Sequence, residues 1–451
     1  MALRPFRTLP SLSTADYDGC VTDSRLPGAP AEMVVLVRDV GAGGFVRVAE
    51  LARAAGCRVG LVNGPDPDPA IAELLDSADR VAAVKDATDV AEVTEAVRQL
   101  AQGYRLSAVL STSDGTVAVA AQVAERLGLR RTPAAPITLS RDKFRVRQIL
   151  ADAGLPQPGF GLLSDAAEAA EVAARVGLPA VVKPVNGTGS YLVRVVHTVA
   201  ELAAAYQELV AAQATGPFAH LYRSEADPAH ALLVEGMLQG REFCVDVIVR
   251  DGEVEQLALI DKFLIDERFF ELGFVNPPFD LPPERAERIR AHVTDAVRGL
   301  GIDNTLAHVE IIDDEKLGPA VVEVNAGRPG GAGPMVLTNL TTGVDTAAEL
   351  LAVYRGAPSP RTPPKLPVPL AVLNIFPTGT GRVRAVHGLD RVAAHPDVVS
   401  VDAGLAPGHV VSDEYESHAA GIVVAGFLDR DDLIETYQQL VAEVTLELEP
   451  I

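Results

Sequence analysis

Between residues 33 and 130, short apolar runs alternate with stretches whose apolar positions recur every three to four residues. The runs are MVVLV at 33–37, RVGLV at 58–62, RVAAV at 80–84 and SAVLS at 107–111. Helical patterns lie near 44–55, 69–76, 89–102 and 116–127, and the last stops at Gly128, a C-cap residue. This alternation predicts a parallel sheet covered by helices, a Rossmann-like arrangement.

The pattern restarts near Ser140 with a helix through Leu150, the turn AGLPQPGF, a helix from about Asp165 to Val176 and a strand, AVVKPV, at 180–185. Residues 232–263 read mostly as strand, with a turn at 251–253. A helix at about 284–300 and strands at 306–312 and 319–324 follow. The segment APSPRTPPKLPVP, 357–369, holds six prolines in thirteen residues and reads as an extended connector. Beyond it, LAVLNIF, VVSVDA and GIVVAGF alternate with turns and end in a helix from about Asp431, which predicts a small C-terminal α+β domain. The expected fold class is thus α/β and α+β, multidomain, with units at 1–138, 139–232, 233–356, a connector at 357–369, and 370–451.

Composition narrows the function. Across 451 residues, 48% are hydrophobic and 22% charged, as in soluble globular proteins. A formal charge of −22 opposes nonspecific attraction to nucleic acid or anionic membrane, so neither is an expected partner. Cys20, Cys57 and Cys244 are far apart, which indicates neither a disulfide framework nor a cysteine zinc site and fits a reducing compartment. Arg4 and Arg7 are followed by prolines and polar residues rather than a long apolar run, so a cytoplasmic location is expected. Only six of the thirty-nine basic residues are lysine, at 85, 143, 183, 262, 316 and 365, which draws attention to them because a compact ammonium is not interchangeable with arginine where it must meet a phosphate.

Three constellations carry candidate chemistry. In VVKPVNGTGSYLVRVV, 181–196, Lys183 ends an apolar strand before Gly187, Thr188, Gly189 and Ser190, whose amides and hydroxyls can close over phosphates. A hairpin turn with an edge-strand lysine fits the same pattern, and no Walker loop occurs. In LVEGMLQGREFCVDV, 233–247, Glu235 and Glu242 flank the apolar pair Met237 and Leu238, a combination able to offer apolar faces to adenine and an acceptor to ribose. Two solvated glutamates on a hairpin are the plainer alternative. Finally, HVEIID at 308–313 and VVEVNAGRPGG at 321–331 each bury an acidic residue in an apolar strand, so that Glu310 and Glu323 can stand side by side with Asn325 on the same face. Oxygen ligands of this kind suit Mg²⁺; a structural ion network with Arg328 or His308 is the alternative.

Taken in order, RDKF, VVKPVNGTGS, EGMLQGRE, HVE and EVNAGRPGG resemble the ATP-grasp carboxylate-amine ligases over most of residues 30–355. The resemblance implies an ATP-grasp fold and a position for each group. Lys143 and Lys183 would hold the α- and β-phosphates of ATP under a lid at 187–190. Glu235, Met237 and Leu238 would line the adenine hinge, with Glu242 on the ribose. Glu310, Glu323 and Asn325 would bind two Mg²⁺, with Mn²⁺ as the expected substitute, and Arg328 would steady the transferred phosphoryl group. The stretch DKFLIDERFFELGFVNPP, 261–278, is similar to one near the amino-acid site of bacilysin-type L-amino acid ligases and carnosine synthases. That similarity implies substrate roles for Lys262, Glu271, Phe274, Arg328, Gly330 and Gly331, although Phe274 stands where many relatives carry histidine.

The implied reaction phosphorylates a carboxylate, leaves ADP, and lets an amine displace phosphate from the acyl phosphate to form an amide or dipeptide. Small-molecule carboxylates and amines are then the partners, and a homodimer is compatible with this reading. Two alternatives stay open: a carboxylase-like or nucleotide-pathway ATP-grasp enzyme, and an inactive ATP-binding regulatory protein.

Overall fold

The computed structural model describes residues 30–41, 43–65, 71–216, 219, 231–358, 361–364, 369–414, 416 and 418–451. Cys20, Lys365, much of the proline-rich connector and the start of the helix expected at 69–76 lie outside the described residues. No described helix is long and apolar enough to cross a membrane.

The N-terminal unit follows the predicted alternation: β1 (Glu32–Arg38), α1 (Gly43–Ala54), β2 (Arg58–Asn63), α2 (Ile71–Ser77), β3 (Arg80–Ala83), α3 (Val90–Leu100), β4 (Arg105–Leu110) and α4 (Val117–Arg126). Its four strands are parallel in the order β3-β2-β1-β4. Two helices come next, α5 (Ala134–Ser140) and α6 (Lys143–Asp152). Asp142 caps α6 by accepting from the Arg145 amide at 2.9 Å, so the helix expected near Ser140 starts at Lys143 and α5 precedes it.

A second sheet, in the order β5-β8-β6-β7, comprises β5 (Phe160–Leu163), β6 (Ala180–Pro184), β7 (Arg194–Val196) and β8 (Leu232–Gly236). It packs on α7 (Ala169–Val176) and α8 (Val199–Thr215) around Leu163, Val172, Val182, Leu202 and Val234. The third sheet has eight strands in the order β13-β12-β9-β10-β11-β14-β18-β16. Its central part is β9 (Gly240–Arg250), β10 (Glu253–Ile265), β11 (Glu271–Asn276), β12 (Thr305–Asp314) and β13 (Gly318–Ala326), with α9 (Pro283–Gly299), α10 (Ala332–Thr342) and α11 (Thr346–Arg355).

Past the connector come β14 (Leu370–Ile375), β15 (Gly381–His387), α12 (Leu389–Ala393), β16 (Val398–Ala403), β17 (Val410–Val411), β18 (Gly421–Ala425), α13 (Arg430–Glu443) and β19 (Thr445–Glu449). The C-terminal segment is α+β, yet its β14 pairs with β11, so the main sheet runs on through the proline-rich boundary.

The two faces of this sheet do different work, because side chains alternate along a strand. Phe243, Val245, Val247 and Val249 of β9 join Ala307, Val309 and Ile311 of β12 in a core closed by Ile289, Val293 and Val297 of α9. The intervening positions, Glu242, Cys244, Asp246, His308 and Glu310, therefore face the other way. Cross-strand pairing sets Glu310 opposite Glu323 and His308 opposite Asn325.

Asp345 ties the N-terminal unit to this body. It caps α11 by accepting from the Ala347 and Ala348 amides, both at 3.1 Å, while its other oxygen meets Arg47 of α1 at 2.9 Å. Asp345→Ala is expected to cost about 1–3 kcal/mol in urea unfolding, and Asp345→Asn, which keeps the cap, less than half of that.

Candidate active site

One cleft gathers candidate groups from α6, the second sheet and the third sheet. Its lining includes Lys143, Lys183, Gly187 to Ser190, Glu235, Met237, Leu238, Glu242, Lys262, Glu271, Glu310 and Glu323.

Each cation in this region is stored against a carboxylate. Lys143, 8% exposed, lies 2.9 Å from Glu323 and donates to the Gly187 carbonyl at 2.8 Å. Burial lowers its pKa, against the opposing pull of Glu323. Lys183 lies 2.6 Å from Glu235, whose other oxygen is paired with Arg147. Burial alone would raise the Glu235 carboxyl, but the Arg147 and Lys183 charges outweigh it and bring the group down to about 2. Glu235 thus lines the cleft together with Met237 and Leu238, its carboxylate paired with Lys183 and Arg147.

Lys262, 4% exposed, is the hub on the opposite wall. It donates to Glu242 at 2.7 Å and Glu310 at 2.8 Å and is paired with Glu271. Burial opposes its charge, but the three carboxylates prevail and hold its pKa well above the ordinary range. The ammonium sits where Glu242, Glu271 and Glu310 would otherwise form a metal-sized cluster. Glu242 is pushed up by burial and by Glu310, with Lys262 opposing.

Arg328 makes a bidentate pair with Asp114, 2.7 and 2.9 Å, and Arg141 reaches the same carboxylate at 2.9 Å. Thr188 donates to Asp114 at 2.7 Å. Burial favours the neutral acid, but the two guanidiniums hold Asp114 far below the ordinary carboxylate range. Asn325 is buried and accepts from Arg141 at 3.4 Å. Gly330 donates its amide to Asp246 at 2.9 Å, and Asp246 also holds His308 at 2.8 Å.

Phe274 corrects the expectation of a substrate-facing wall. It is 1% exposed and packs with Cys244, Ile260 and Leu337 in the apolar layer under α10. Its ring lies so near Gly333 that a Cβ there would come within 2.4 Å of it, which is why a glycine opens that part of α10.

Arg147, Asp114, Arg141 and Asp246 escaped the sequence reading. Arg147 had a signal, since it lies one helical turn from Lys143 on the same face of α6. Asp114 also had one, because it follows the carboxyl end of a parallel strand, where ligand-binding loops gather. Asp246 becomes a site residue only through pairing with β12.

The family model of the ATP-grasp domain matches residues 176–335, that of the ATP-grasp N-terminal domain 49–130, and that of the L-amino acid ligase C-terminal domain 2 residues 374–449. An uncharacterized protein of Sinorhizobium fredii is 27% identical over 386 residues, covering 85% of this chain and 77% of the relative. A D-alanine–D-alanine ligase of Marinobacter nauticus is 28% identical over 196 residues, 42% of this chain and about half, 53%, of that ligase. Among solved structures, an L-amino acid ligase from Bacillus licheniformis aligns with a TM-score of 0.73 at 22% identity, over 93% of this chain and 99% of that one. A biotin carboxylase from Campylobacter jejuni, solved as a β-γ-ATP complex, aligns with a TM-score of 0.67 at 17% identity, over 93% and 92%. These likenesses to solved structures establish the fold.

The Glu235 pairing sets a pH signature. Its carboxyl is depressed from near 4.5 to about 2, so the stabilisation is full above pH 4.5 and lost as pH falls through about 2. Glu235→Gln should lower stability by about 3 kcal/mol at pH 7, and the gap from the parent should roughly halve by about pH 3. Urea unfolding at both pH values measures it, and a constant gap would show that the ionised form is not what stabilises the fold.

Proposed function

We propose that this chain, an ATP-grasp protein by its matched domains and its fold, is an ADP-forming ligase that activates a carboxylate, most simply that of an amino acid, and couples it to an amine. One observation carries the reading. The cross-strand carboxylates Glu310 and Glu323 open onto the same cleft as Lys143, Lys183 and the glycine-rich loop, so phosphate-binding and cation-binding groups converge on one space. The match of residues 374–449 to an L-amino acid ligase domain favours amino-acid substrates.

The donor set fits Mg²⁺: Glu310 and Glu323 are hard oxygen ligands at the cleft wall, and Asn325 is two residues from Glu323 on the same strand. These three residues would hold the metal, which would supply charge neutralisation for the triphosphate. Lys143 and Lys183, released from Glu323 and Glu235, would bind phosphate oxygens, with Arg147 keeping Glu235 paired. The loop at 187–190 would cover the phosphates, and Met237 and Leu238 would flank the base. A carboxylate oxygen of the substrate attacks the terminal phosphorus, and ADP departs. Arg328 would steady the new acyl phosphate. The amine then attacks the acyl carbon, the bond to the phosphate oxygen breaks, and the amine proton passes to a base or solvent. Glu271, which lines the cleft beside Lys262, would meet the amine while it is still an ammonium.

An ADP-release screen over pairs of amino acids tests the reading. ADP and phosphate should form in step with an amide, independently of bicarbonate. Stoichiometric AMP, or an absolute need for bicarbonate, would overturn it.

Lys183→Ala should lower turnover by about 10²–10³, far more than Lys85→Ala at an exposed loop, because it removes a preorganised charge from the phosphate site. Near-normal turnover in a folded Lys183→Ala would rule out the phosphate role. Glu323→Gln should keep the fold and lose Mg²⁺-dependent turnover, since an amide is a poorer ligand for a hard cation. Titration with Mg²⁺ checks it, and an unchanged Mg²⁺ dependence would move the metal elsewhere.

A further inference from the structure

The C-terminal unit touches two residues of the cleft lining, Gly189 and Glu271, at a point the proposed reaction does not yet use. The Glu416 amide donates to the Gly189 carbonyl at 3.1 Å, and the Glu416 side chain accepts the amide of Glu271. One residue thus bridges the phosphate loop and the first residue of β11, 82 positions apart by their numbers in the sequence. Gly189 suits this contact doubly: its φ is +58°, and a Cβ there would sit 3.1 Å from the Glu416 carbonyl oxygen.

Other contacts make the bridge part of a larger strut. Asn374 of β14 donates to the Glu271 carbonyl at 2.9 Å, so the C-terminal unit grips both peptide groups of that residue. Phe270 and Phe376 meet edge to face with centroids 5.4 Å apart, and Arg268 donates to the Asp413 carbonyl at 3.4 Å. On the lid side, Ser190 donates to the Phe269 carbonyl at 3.0 Å. The segment presenting Glu271 is therefore fixed to the lid and to the C-terminal unit together.

We propose that Glu416 is a positioning residue for amide formation, joining the closed phosphate loop to the Glu271 strand so that amine and acyl phosphate meet with water shut out. This inference rests on the carboxylate-amine reading above. A loosened bridge admits water in place of the amine: water adds at the acyl carbon, the bond to the phosphate oxygen breaks, and carboxylate and phosphate return without amide. ADP release then outruns product. Burial and the Glu271 carboxylate hold Glu416 well above the ordinary carboxyl range, so glutamine is a close substitute for its accepting oxygen.

The test uses the full chain with Glu416→Ala, Glu416→Ser and Glu416→Gln. In the alanine and serine variants, amide formed per ADP released should fall about five- to tenfold, the value of one hydrogen bond, and Glu416→Gln should restore most of the ratio. Hydrogen exchange without substrates gives a second readout: the Glu271 amide should exchange about five- to tenfold faster in the alanine and serine variants and stay within about twofold in the glutamine variant. An unchanged ratio and unchanged exchange in Glu416→Ala would overturn the proposal. So would equal losses of ADP and amide in all three variants alongside a common fall in melting temperature, which marks a purely structural role. If the parent chain releases no ADP with any amino-acid pair, the ligase reading fails by itself, and exchange at Glu271 still decides whether Glu416 makes the bridge.

Discussion

A cleft built to hold a polyanion has to bury cations before the anion arrives, and an isolated buried charge costs several kcal/mol. In this fold the difficulty is met by pairing. Lys143 rests on Glu323, Lys183 and Arg147 share Glu235, Arg141 and Arg328 share Asp114, and Lys262 is surrounded by Glu242, Glu271 and Glu310. Several of these carboxylates are the groups that the proposed reaction needs for cation and substrate. On the proposed reading, binding would be an exchange of partners: phosphate would take the lysines, and the carboxylates left behind would take a divalent cation or an ammonium. The protein's own buried charges are already paired before either arrives.

That exchange needs a rigid wall, and the main sheet supplies it by alternation. One face of β9 and β12 is an apolar core under α9, and the other carries Glu242, Cys244 and Asp246 on β9 and His308 and Glu310 on β12, at two-residue intervals along each strand. A register slip of one residue would put the carboxylates into the core and the valines into the cleft. The bulge between Glu310 and Ile311 leaves Glu323 opposite Glu310 and sets Val321 opposite Ile311 in the core. Asp246 adds a second anchor, since it holds both His308 and the amide of Gly330 at the turn leading into α10.

Elements with strong local patterning were legible in the chain itself, including the four parallel strands, α9 and the acidic strand pair. Others depend on partners that sequence spacing does not reveal. β11 contains a glycine and little alternation, and it becomes a strand because β10 and β14 flank it. The helix α8 is rich in alanine and weakly amphipathic, although Thr198 and Glu201 carry the capping-box signal at its start. The site divides in the same way. Lys143, Lys183, Glu310 and Glu323 stand in motifs, whereas Asp114 and Glu416 arrive from other units through tertiary contacts. Phe274 shows the converse error, because a residue in the right segment can be turned into the apolar layer by the strand it occupies.

The glycine-rich loop is where these arrangements meet, since each of its four residues is held by a different segment. The Gly187 carbonyl accepts from Lys143, Thr188 donates to Asp114, the Gly189 carbonyl accepts from Glu416, and Ser190 donates to the Phe269 carbonyl. The first two contacts belong to charges that a phosphate would recruit or repel, so on the proposed reading they would change with a nucleotide. The last two are hydrogen bonds of backbone and hydroxyl groups to Glu416 and Phe269 and have no such reason to change. On the proposed reading, a nucleotide would act on one end of the loop while the other end stayed fastened to the segment of Glu271. A loop fastened in this way would couple the phosphate site to the segment of Glu271, and the C-terminal unit makes the fastening through Glu416.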